Sequence, residues 1–108
     1  MSQVPSGLLM LMPLLRLYTR RDNATARHFE LAAGDALAFI AYRREGDTVE
    51  LFHTEVPQAL EGKGIGSALV RGTLDRLRTE GVTVVPSCSF VAGYIERHPE
   101  YGATVARG

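Results

Sequence analysis

The sequence predicts an α/β protein with a mixed sheet, and three observations support this prediction. The first half of the chain has short apolar segments separated by turn residues, which is typical of an antiparallel meander. A glycine-rich loop then opens an amphipathic helix, and a β-branched segment at 82–85 follows it. A strand, a crossover helix and a second strand form a right-handed unit with parallel strands. We therefore expect a meander, then a parallel strand-helix-strand unit, then a short last helix.

Composition narrows the class of protein. The 108 residues include 12 Lys and Arg against 12 Asp and Glu, so the formal net charge is zero. Domains that bind nucleic acids usually carry a basic surplus, which argues against DNA or RNA as the main partner. Cys88 is the only cysteine, so an intramolecular disulfide is excluded and a reducing cytoplasm is expected. With so few cysteines and histidines, we expect no metal site.

The N-terminal segment needs separate treatment because residues 8–15 are apolar except for Pro13. A membrane-spanning helix needs about 20 such residues, so this run is too short to span a membrane. A signal peptide would carry basic residues before the apolar run, and here the first basic residue is Arg16. We expect residues 1–14 to be an extension and residues 15–108 to form one domain.

Strands of the meander are predicted from alternating or continuous apolar runs. Turn residues at 21–23, 33–35 and 45–47 separate them. In the last strand, alternation places Val49, Leu51, His53 and Glu55 on one face and Phe52, Thr54 and Val56 on the other. The predicted strands span residues 15–20, 27–31, 36–43 and 49–56.

The second half of the chain has helical periodicity. Residues 64–80 carry an apolar stripe, and Gly81 is a typical C-terminal stop. Ser89 is predicted to cap a last helix that runs to Arg97, and Pro99 ends it. The tail at 101–108 is weakly specified. The apolar stripe of the long helix comprises Ile65, Leu69, Val70, Leu74 and Leu77.

Three alternating glycines stand at the mouth of the long helix: Gly62, Gly64 and Gly66. Glycine lets the backbone approach a ligand closely, and the first amides of a helix lack internal partners and carry partial positive charge. Such a loop can cradle a pyrophosphate. The G-x-G-x-G spacing fits neither the dinucleotide-binding fingerprint nor the Walker motif. A tight turn without a ligand is the alternative interpretation.

These residues resemble the acetyl-CoA signature of the GNAT superfamily of N-acetyltransferases, in which a strand ending in valine precedes Arg/Gln-x-x-Gly-x-Gly/Ala and a helix. The chain is also similar to the subgroup of very small GNAT-like domains in three segments: 53–57 (HTEVP), 61–66 (EGKGIG) and 86–91 (PSCSFV). The resemblance covers residues 15–101 and implies a minimal GNAT-like fold. In that fold pantetheine lies between the two splayed parallel strands. The residues implied in acetyl-CoA binding are Val56, Gly62, Lys63, Gly64, Ile65, Gly66 and Ser67.

Two positions depart from the family pattern. Glu61 stands where larger members have Arg or Gln, but that position contributes mainly its backbone to the loop. Ile95, with Tyr94 beside it, stands where larger members place a tyrosine that protonates the leaving thiolate. The identity of the general acid is therefore open.

Three side chains are candidates for acetyl transfer. His53 and Glu55 lie on the strand that the resemblance places beside the thioester, and either could take a proton from an amine. Cys88 follows the second parallel strand just before a helix, where a thiolate is favoured, so it could carry the acetyl group or protonate the leaving thiolate. Each residue has a structural alternative: His53 as a half-buried strand residue, Glu55 as a solvent-facing strand end, and Cys88 as a small packed side chain.

The function that the sequence predicts is transfer of an acetyl group from acetyl-CoA, as cosubstrate, to a primary amine on a protein or a small molecule. A CoA-binding module without turnover is the main alternative. A small interaction domain that uses the glycine loop only as a turn is a third possibility. Neither the acceptor nor the oligomeric state follows from the sequence.

Overall fold

The computed structural model describes residues 18–105. The N-terminal extension predicted at 1–14, and the first part of the strand predicted at 15–20, lie outside these residues. None of the described helices is long and apolar enough to cross a membrane.

One five-stranded mixed sheet forms the centre of the fold, with its strands in sequence order. Adjacent strands from β1 to β4 pair antiparallel, and β5 pairs parallel with β4. The crossover between β4 and β5 contains the long helix, as the sequence predicted. The strands are β1 (Tyr18–Asn23), β2 (His28–Ala33), β3 (Ala36–Glu45), β4 (Thr48–Glu55) and β5 (Thr83–Pro86).

The turn predicted at residues 21–23 is wrong, because these residues extend β1. Arg21 and Asn23 both hydrogen-bond the carboxylate of Glu30 on β2, with Arg21 Nε at 2.6 Å and Asn23 Nδ2 at 3.0 Å. These cross-strand contacts keep the segment in the ladder. The connection lies at residues 24–27 instead, where Arg27 adopts a left-handed φ of 59°.

A β-bulge in β4 overturns the predicted division of its side chains between the two faces. Leu51 pairs with Tyr42 on β3 while His53 pairs with the preceding residue, Ala41, so Phe52 is the extra residue. Residues directly opposite one another share a face, and an inserted residue reverses the alternation beyond it. Val49 and Leu51 therefore face the core, whereas His53 and Glu55 lie on the opposite face of the sheet.

Two α-helices follow the meander: α1 (Ile65–Glu80) and α2 (Ser89–Arg97). Every residue of the predicted apolar stripe of α1 is buried, together with Thr73. Gly81 ends α1 in a left-handed conformation, with φ of 74°, and its amide bonds the last turn. Short 3₁₀ segments at Gln58–Leu60 and Pro99–Thr104 precede α1 and follow α2.

The predicted cap of the last helix is shifted by one residue. Cys88, not Ser89, occupies the N-cap position, in an extended conformation without a side-chain cap. Its amide still donates a sheet-like hydrogen bond to the Leu51 carbonyl at 2.9 Å, while its carbonyl accepts the first helical bond from Ala92. Cys88 is thus the point at which the chain leaves the sheet and enters α2.

A single core joins both helices to one face of the sheet. Phe29, Leu31 and Ile40 pack there against α1, and Leu51 and Val84 extend the same cluster. In the weakly specified tail, the described residues contact the core, since Tyr101 is 3% exposed and Val105 bridges Val84 on β5.

Candidate functional site

The candidate site begins where β4 and β5 separate. Their parallel pairing ends at Leu51 and Pro86, and the Cys88 amide makes the last bond across to Leu51. Beyond this point β4 continues through the bulge to Glu55, while the other segment turns into α2. The two segments diverge and leave a gap that opens toward the start of α1.

The glycine loop adopts the conformations that its sequence demands. Gly62 and Gly64 have φ of 78° and 74°, the left-handed region in which a Cβ is strained. A Cβ at either position would meet no heavy atom within 4 Å, so no side chain or backbone packs against this side of the two glycines. The loop therefore has no packing reason for glycine, and its open side is available to a ligand.

The first turn of α1 offers backbone donors beside this loop. Gly64 is its N-cap residue, and no side chain of the described residues caps the helix. The first internal bond runs from the Ala68 amide to the Gly64 carbonyl at 3.0 Å, so the three preceding amides have no helical partner. These amides belong to Ile65, Gly66 and Ser67, and their partial positive charge suits an anion.

A surface depression of about 220 Å³ lies beside this loop. Val56, just after β4, and Leu60 line it together with Phe90 of α2. Ile65 also lines it, but at 1% exposure its side chain belongs to the core. The side chain of Lys63 is exposed at the loop.

Gly66 has a packing role that the sequence did not reveal. A Cβ there would lie 2.7 Å from Cζ of Phe90 and 3.5 Å from Cγ2 of Val56. The missing side chain lets the Phe90 ring lie directly against the first turn of α1. Phe90 is 41% exposed, so it forms an apolar wall of the depression that remains in contact with solvent.

Cys88 lies half-buried in the gap with a defined set of partners. Its thiol donates to Thr54 Oγ1 at 3.3 Å, across from β4. Burial alone would raise the pKa of this thiol, but the Thr54 hydroxyl and the backbone amides of Val91 and Phe90 lower it. The pKa of Cys88 therefore lies below its ordinary value, as the sequence predicted from the start of the helix.

His53 and Glu55 lie together, but on the opposite face of the sheet from Thr54 and the core. His53 Nε2 and Glu55 Oε1 are 3.3 Å apart, and both side chains are more than half exposed. The prediction that they share a face is confirmed. They do not contact Cys88, because the sheet separates the two groups.

Sequence analysis missed a second pair of residues on that opposite face. The Ser87 hydroxyl donates to Glu50 Oε2 at 2.6 Å, which ties the residue before Cys88 to β4. Glu50 also accepts a hydrogen bond from Arg43 at 3.0 Å, and together these contacts lower the pKa of its carboxyl. This contact depends on the pairing of Glu50 with Val85 across the two parallel strands, which the pattern within one strand does not reveal.

Tyr94, beside Ile95, lies between the two helices. Its ring stacks on His98, with centroids 4.1 Å apart, and it lines a groove between α1 and α2 together with Arg71. Burial raises the pKa of its phenol. Ile95 packs against the core.

The arrangement as a whole fits a CoA thioester in chemistry. Helix amides and a basic residue suit a diphosphate, and the apolar depression suits the pantetheine arm. The Cys88 thiol, two residues before Phe90 and beside Thr54 of β4, suits a thioester. Strand, glycine loop and helix in this geometry define a GCN5-type acyltransferase domain.

Comparison with known proteins agrees with this class. The family model described as GCN5-related N-acetyl-transferase matches residues 28–105, well over half of the chain, and the protein belongs to that family. Protein NATD1 of Xenopus tropicalis is 35% identical over 52 residues, and that of Homo sapiens is 35% identical over 51. These alignments cover 48% and 47% of this chain, and the chain spans about half the length of these relatives.

The fold also has a solved counterpart. The NMR solution structure of a GCN5-like protein from Staphylococcus aureus superposes with a TM-score of 0.64. It covers 82% of this chain and 87% of its own, at 24% sequence identity. This likeness supports the fold, and the predicted minimal GNAT-like architecture is confirmed.

Proposed function

We propose that this chain transfers an acetyl group from acetyl-CoA to a primary amine. The observation that carries the proposal is the open helix start beside the gap between β4 and β5. Free amides and left-handed glycines lie at that helix start, and a thiol of lowered pKa lies where the two strands separate. Membership of the N-acetyltransferase family supports the same reaction class.

In this proposal the loop residues bind the cosubstrate. The amides of Ile65, Gly66 and Ser67 bind the diphosphate, Lys63 adds a positive charge, and backbone groups near Val56 pair with the pantetheine arm. Gly62 and Gly64 keep the loop free of side chains that would block this approach. A backbone amide near Val56 polarises the thioester carbonyl as negative charge develops on its oxygen.

Cys88 is our principal catalytic candidate, and two roles fit its position. As a carrier, its thiolate attacks the thioester carbonyl, the C–S bond to CoA breaks, and acetyl-Cys88 and CoA thiolate form. The amine then attacks this second thioester, regenerates Cys88 and loses a proton. As an acid, the Cys88 thiol gives its proton to the departing CoA thiolate after the amine has attacked directly.

His53 and Glu55 are proposed as the groups that accept the proton of the amine. This exposed pair lies on the face of the sheet that points away from the core. An amine acceptor that approaches from that face would meet His53 and Glu55 first. An open face accommodates a protein tail as well as a small amine. We propose the cytoplasm as the site of action, with neither nucleic acid nor membrane as a partner.

The alternative is a CoA-binding module without turnover, and Tyr94 is the observation that favours it. Its ring stacks on His98 and lines the groove between the helices. If no other group protonates the thiolate, binding would occur without transfer. This alternative predicts the same ligand but no release of free CoA.

Thermal unfolding with added ligand tests the binding half of the proposal. Acetyl-CoA or CoA is expected to raise the melting temperature, because a ligand that binds only the native state stabilises it. Adenosine at the same concentration serves as the control. An unchanged melting temperature at millimolar acetyl-CoA would contradict both the enzyme proposal and the binding-module alternative.

A steady-state assay with a panel of amines, read out by mass spectrometry, then separates enzyme from module. In an active preparation, Cys88→Ala is expected to lower kcat far more than it weakens CoA affinity. Intact-mass analysis after mixing with acetyl-CoA alone distinguishes the two roles, since only the carrier gains an acetyl group on Cys88. An alanine variant with full turnover would leave Cys88 as a packing residue and His53 as the leading candidate.

The domain division is also a proposal, namely that residues 1–14 are an extension of a domain that comprises residues 15–108. Deleting residues 1–14 is expected to leave CoA affinity within about twofold, since the site lies wholly within the described residues. A truncated protein that aggregates or loses binding would place the segment in the core or in a contact between copies.

A further inference from the structure

The face of the sheet that points away from both helices, the outer face, carries an apolar patch. Leu31 and Ile40 face the core, so alternation places their neighbours Ala32 and Phe39 on the outer face. Leu37 lies on the same face because it pairs with Ala32, and it is 39% exposed. Within residues 18–105 neither α-helix covers this outer patch, which comprises Ala32, Leu37 and Phe39.

On one side of the outer patch, the charged groups are paired with one another. Glu30, opposite Phe39 on β2, accepts a hydrogen bond from Arg21 Nε at 2.6 Å, and its side chain is 3% exposed. His28 stacks on the Phe39 ring, with centroids 4.0 Å apart, and its Nδ1 lies 3.8 Å from the Glu30 carboxylate. Because this carboxylate already has its partners, the patch favours an uncharged, apolar segment.

On its other side, the outer patch adjoins the two groups proposed to accept the proton of the amine. Glu55 lies opposite Phe39 on β4, and the ring centroids of Phe39 and His53 are 6.0 Å apart. His53 and Glu55 contact each other at 3.3 Å, and both side chains are more than half exposed. A segment docked on the patch would therefore lie directly beside this pair.

Residues 8–15, outside the described residues, form an apolar run that matches the outer patch in chemistry. Seven of the eight are Leu or Met, the other is Pro13, and residues 1–15 hold no charged side chain. Such side chains are driven from water in proportion to the apolar area that they bury. An uncharged run and an apolar patch with paired charges beside it are complementary.

The position of β1 brings this run within reach of the outer patch. β1 begins at Tyr18 on the edge of the sheet, and Thr19 pairs with Ala32, which pairs with Leu37. Leu37 thus lies two strand spacings, about 10 Å, from the strand into which the run leads. Eight residues span about 12 Å as a helix and about 26 Å when extended, so either conformation is long enough to reach Leu37 and Phe39.

We propose that residues 8–15 dock on the outer patch and form one wall of the acceptor site beside His53 and Glu55. An exposed sheet face does not enclose an amine, whereas a docked segment next to this pair makes a cleft. The docking stands by itself, but the role in acceptor binding rests on the proposed function. Because α1 and its glycine loop pack on the opposite face of the sheet, CoA affinity does not depend on the segment.

Tryptophan fluorescence tests the docking, because the chain contains no tryptophan of its own. In the full-length chain, Leu11→Trp places a single tryptophan in the run. Its emission is expected at a shorter wavelength than in the urea-unfolded protein, and acrylamide is expected to quench it less. Adding Leu37→Asp puts a charge in the patch and is expected to shift the emission toward that of the unfolded protein. Leu37→Ser, a milder change, is expected to act in the same direction, and circular dichroism checks that each variant is folded.

Thr83→Asp is the matched control, because Thr83 is also exposed but lies on β5, at the far edge of the sheet. It is expected to leave the emission unchanged. Emission that neither Leu37 variant alters in a folded protein would overturn the docking and leave the acetyl-transfer proposal standing. A short-wavelength emission that disappears on dilution would also overturn it, since the run would then lie in a contact between copies.

Steady-state kinetics with an amine that the wild type acetylates test the role in acceptor binding. Deleting residues 1–14 is expected to raise KM for the amine about fivefold and to leave CoA affinity within about twofold. Leu37→Asp is expected to raise KM in the same way. An unchanged KM in both variants would overturn the role of the segment as a wall of the acceptor site. Absence of turnover with every amine, despite CoA binding, would overturn the proposed function, while the fluorescence result would still decide the docking.

Discussion

Thr54 contributes to the lowered pKa of the Cys88 thiol. The bulge at Phe52 directs the Thr54 side chain toward the gap, where its hydroxyl lies 3.3 Å from the Cys88 sulfur. A hydroxyl that donates to a thiolate favours the charged form, and so do the amides at the start of α2. Together these contacts outweigh burial, which acts in the opposite direction.

Replacing Thr54 with valine is therefore expected to raise the pKa of Cys88. Valine has nearly the same shape but cannot donate, so the thiolate loses one of its hydrogen bonds. The rate of alkylation by iodoacetamide, measured from pH 6 to pH 10, reports the pKa directly and requires no substrate. Thr83→Val, an exposed change on β5, is the control. An unchanged pH profile in Thr54→Val would show that backbone amides, without the hydroxyl, set this pKa.

Helix α1 is the element that joins fold and candidate site. Gly64 caps its start and Gly81 caps its end, and both glycines have φ of 74°. A Cβ added at either position would meet no heavy atom within 4 Å. A non-glycine residue at either position would therefore carry the same backbone strain, about 1–2 kcal/mol. Only Gly64 lies at the depression.

This equivalence provides a matched pair of variants. Gly64→Ala and Gly81→Ala are expected to lose similar unfolding free energy, about 1–2 kcal/mol, in urea titrations. Gly64→Ala is also expected to weaken CoA binding at least tenfold, because its methyl group blocks the approach of the diphosphate. Gly81→Ala is expected to keep wild-type affinity. If both variants bind CoA alike while folded, the loop is only a turn.

The contact between Gly66 and Phe90 links α1 to the start of α2. Gly66→Ala would normally stabilise a helix by up to about 1 kcal/mol, but here the new methyl group meets the Phe90 ring at 2.7 Å. We expect Gly66→Ala to be destabilising in the wild type and stabilising in a Phe90→Ala background. A double-mutant cycle by urea unfolding measures this coupling. Equal effects in both backgrounds would mean that the ring moves aside freely.

At the scale of the whole molecule, two buried tyrosines connect peripheral segments to the core. Tyr42 on β3 donates to Asp22 on the edge strand at 2.8 Å, and Tyr101 in the tail donates to Asp75 on α1 at 2.6 Å. Burial and the acceptor carboxylate raise the pKa of each phenol to about 12. Neutral tyrosine is therefore favoured in the folded chain.

A pH dependence of stability follows from these shifts. An unfolded tyrosine titrates near pH 10, so the contribution of each phenol is complete below about pH 10 and is lost as pH rises toward 12. Urea unfolding of the wild type is expected to show stability falling from pH 9.5 upward. Tyr42→Phe and Tyr101→Phe should each lose about 1 kcal/mol at pH 7 and show a shallower fall. A fall equally steep in both variants would assign it to other groups.

The local sequence pattern was sufficient to predict most of the strands and helices of this molecule. Periods of two and of about three and a half residues identified four strands and a long helix, because each element buries one face. The crossover rule correctly made β4 and β5 parallel. Glycine at 62 and 64 indicated unusual backbone angles, since other residues tolerate them poorly. The start of a helix likewise indicated a lowered pKa for Cys88.

Only the tertiary structure decided which face each candidate side chain occupies. The bulge at Phe52 arises from the register between β3 and β4, a long-range pairing that alternation within one strand cannot encode. It moves His53 and Glu55 off the core face of the sheet and brings Thr54 onto that face, where it meets Cys88. The Phe90 contact with Gly66 depends in the same way on how α1 and α2 pack. Sequence by itself determined the elements and the loop, whereas packing between elements distant in sequence determined the site.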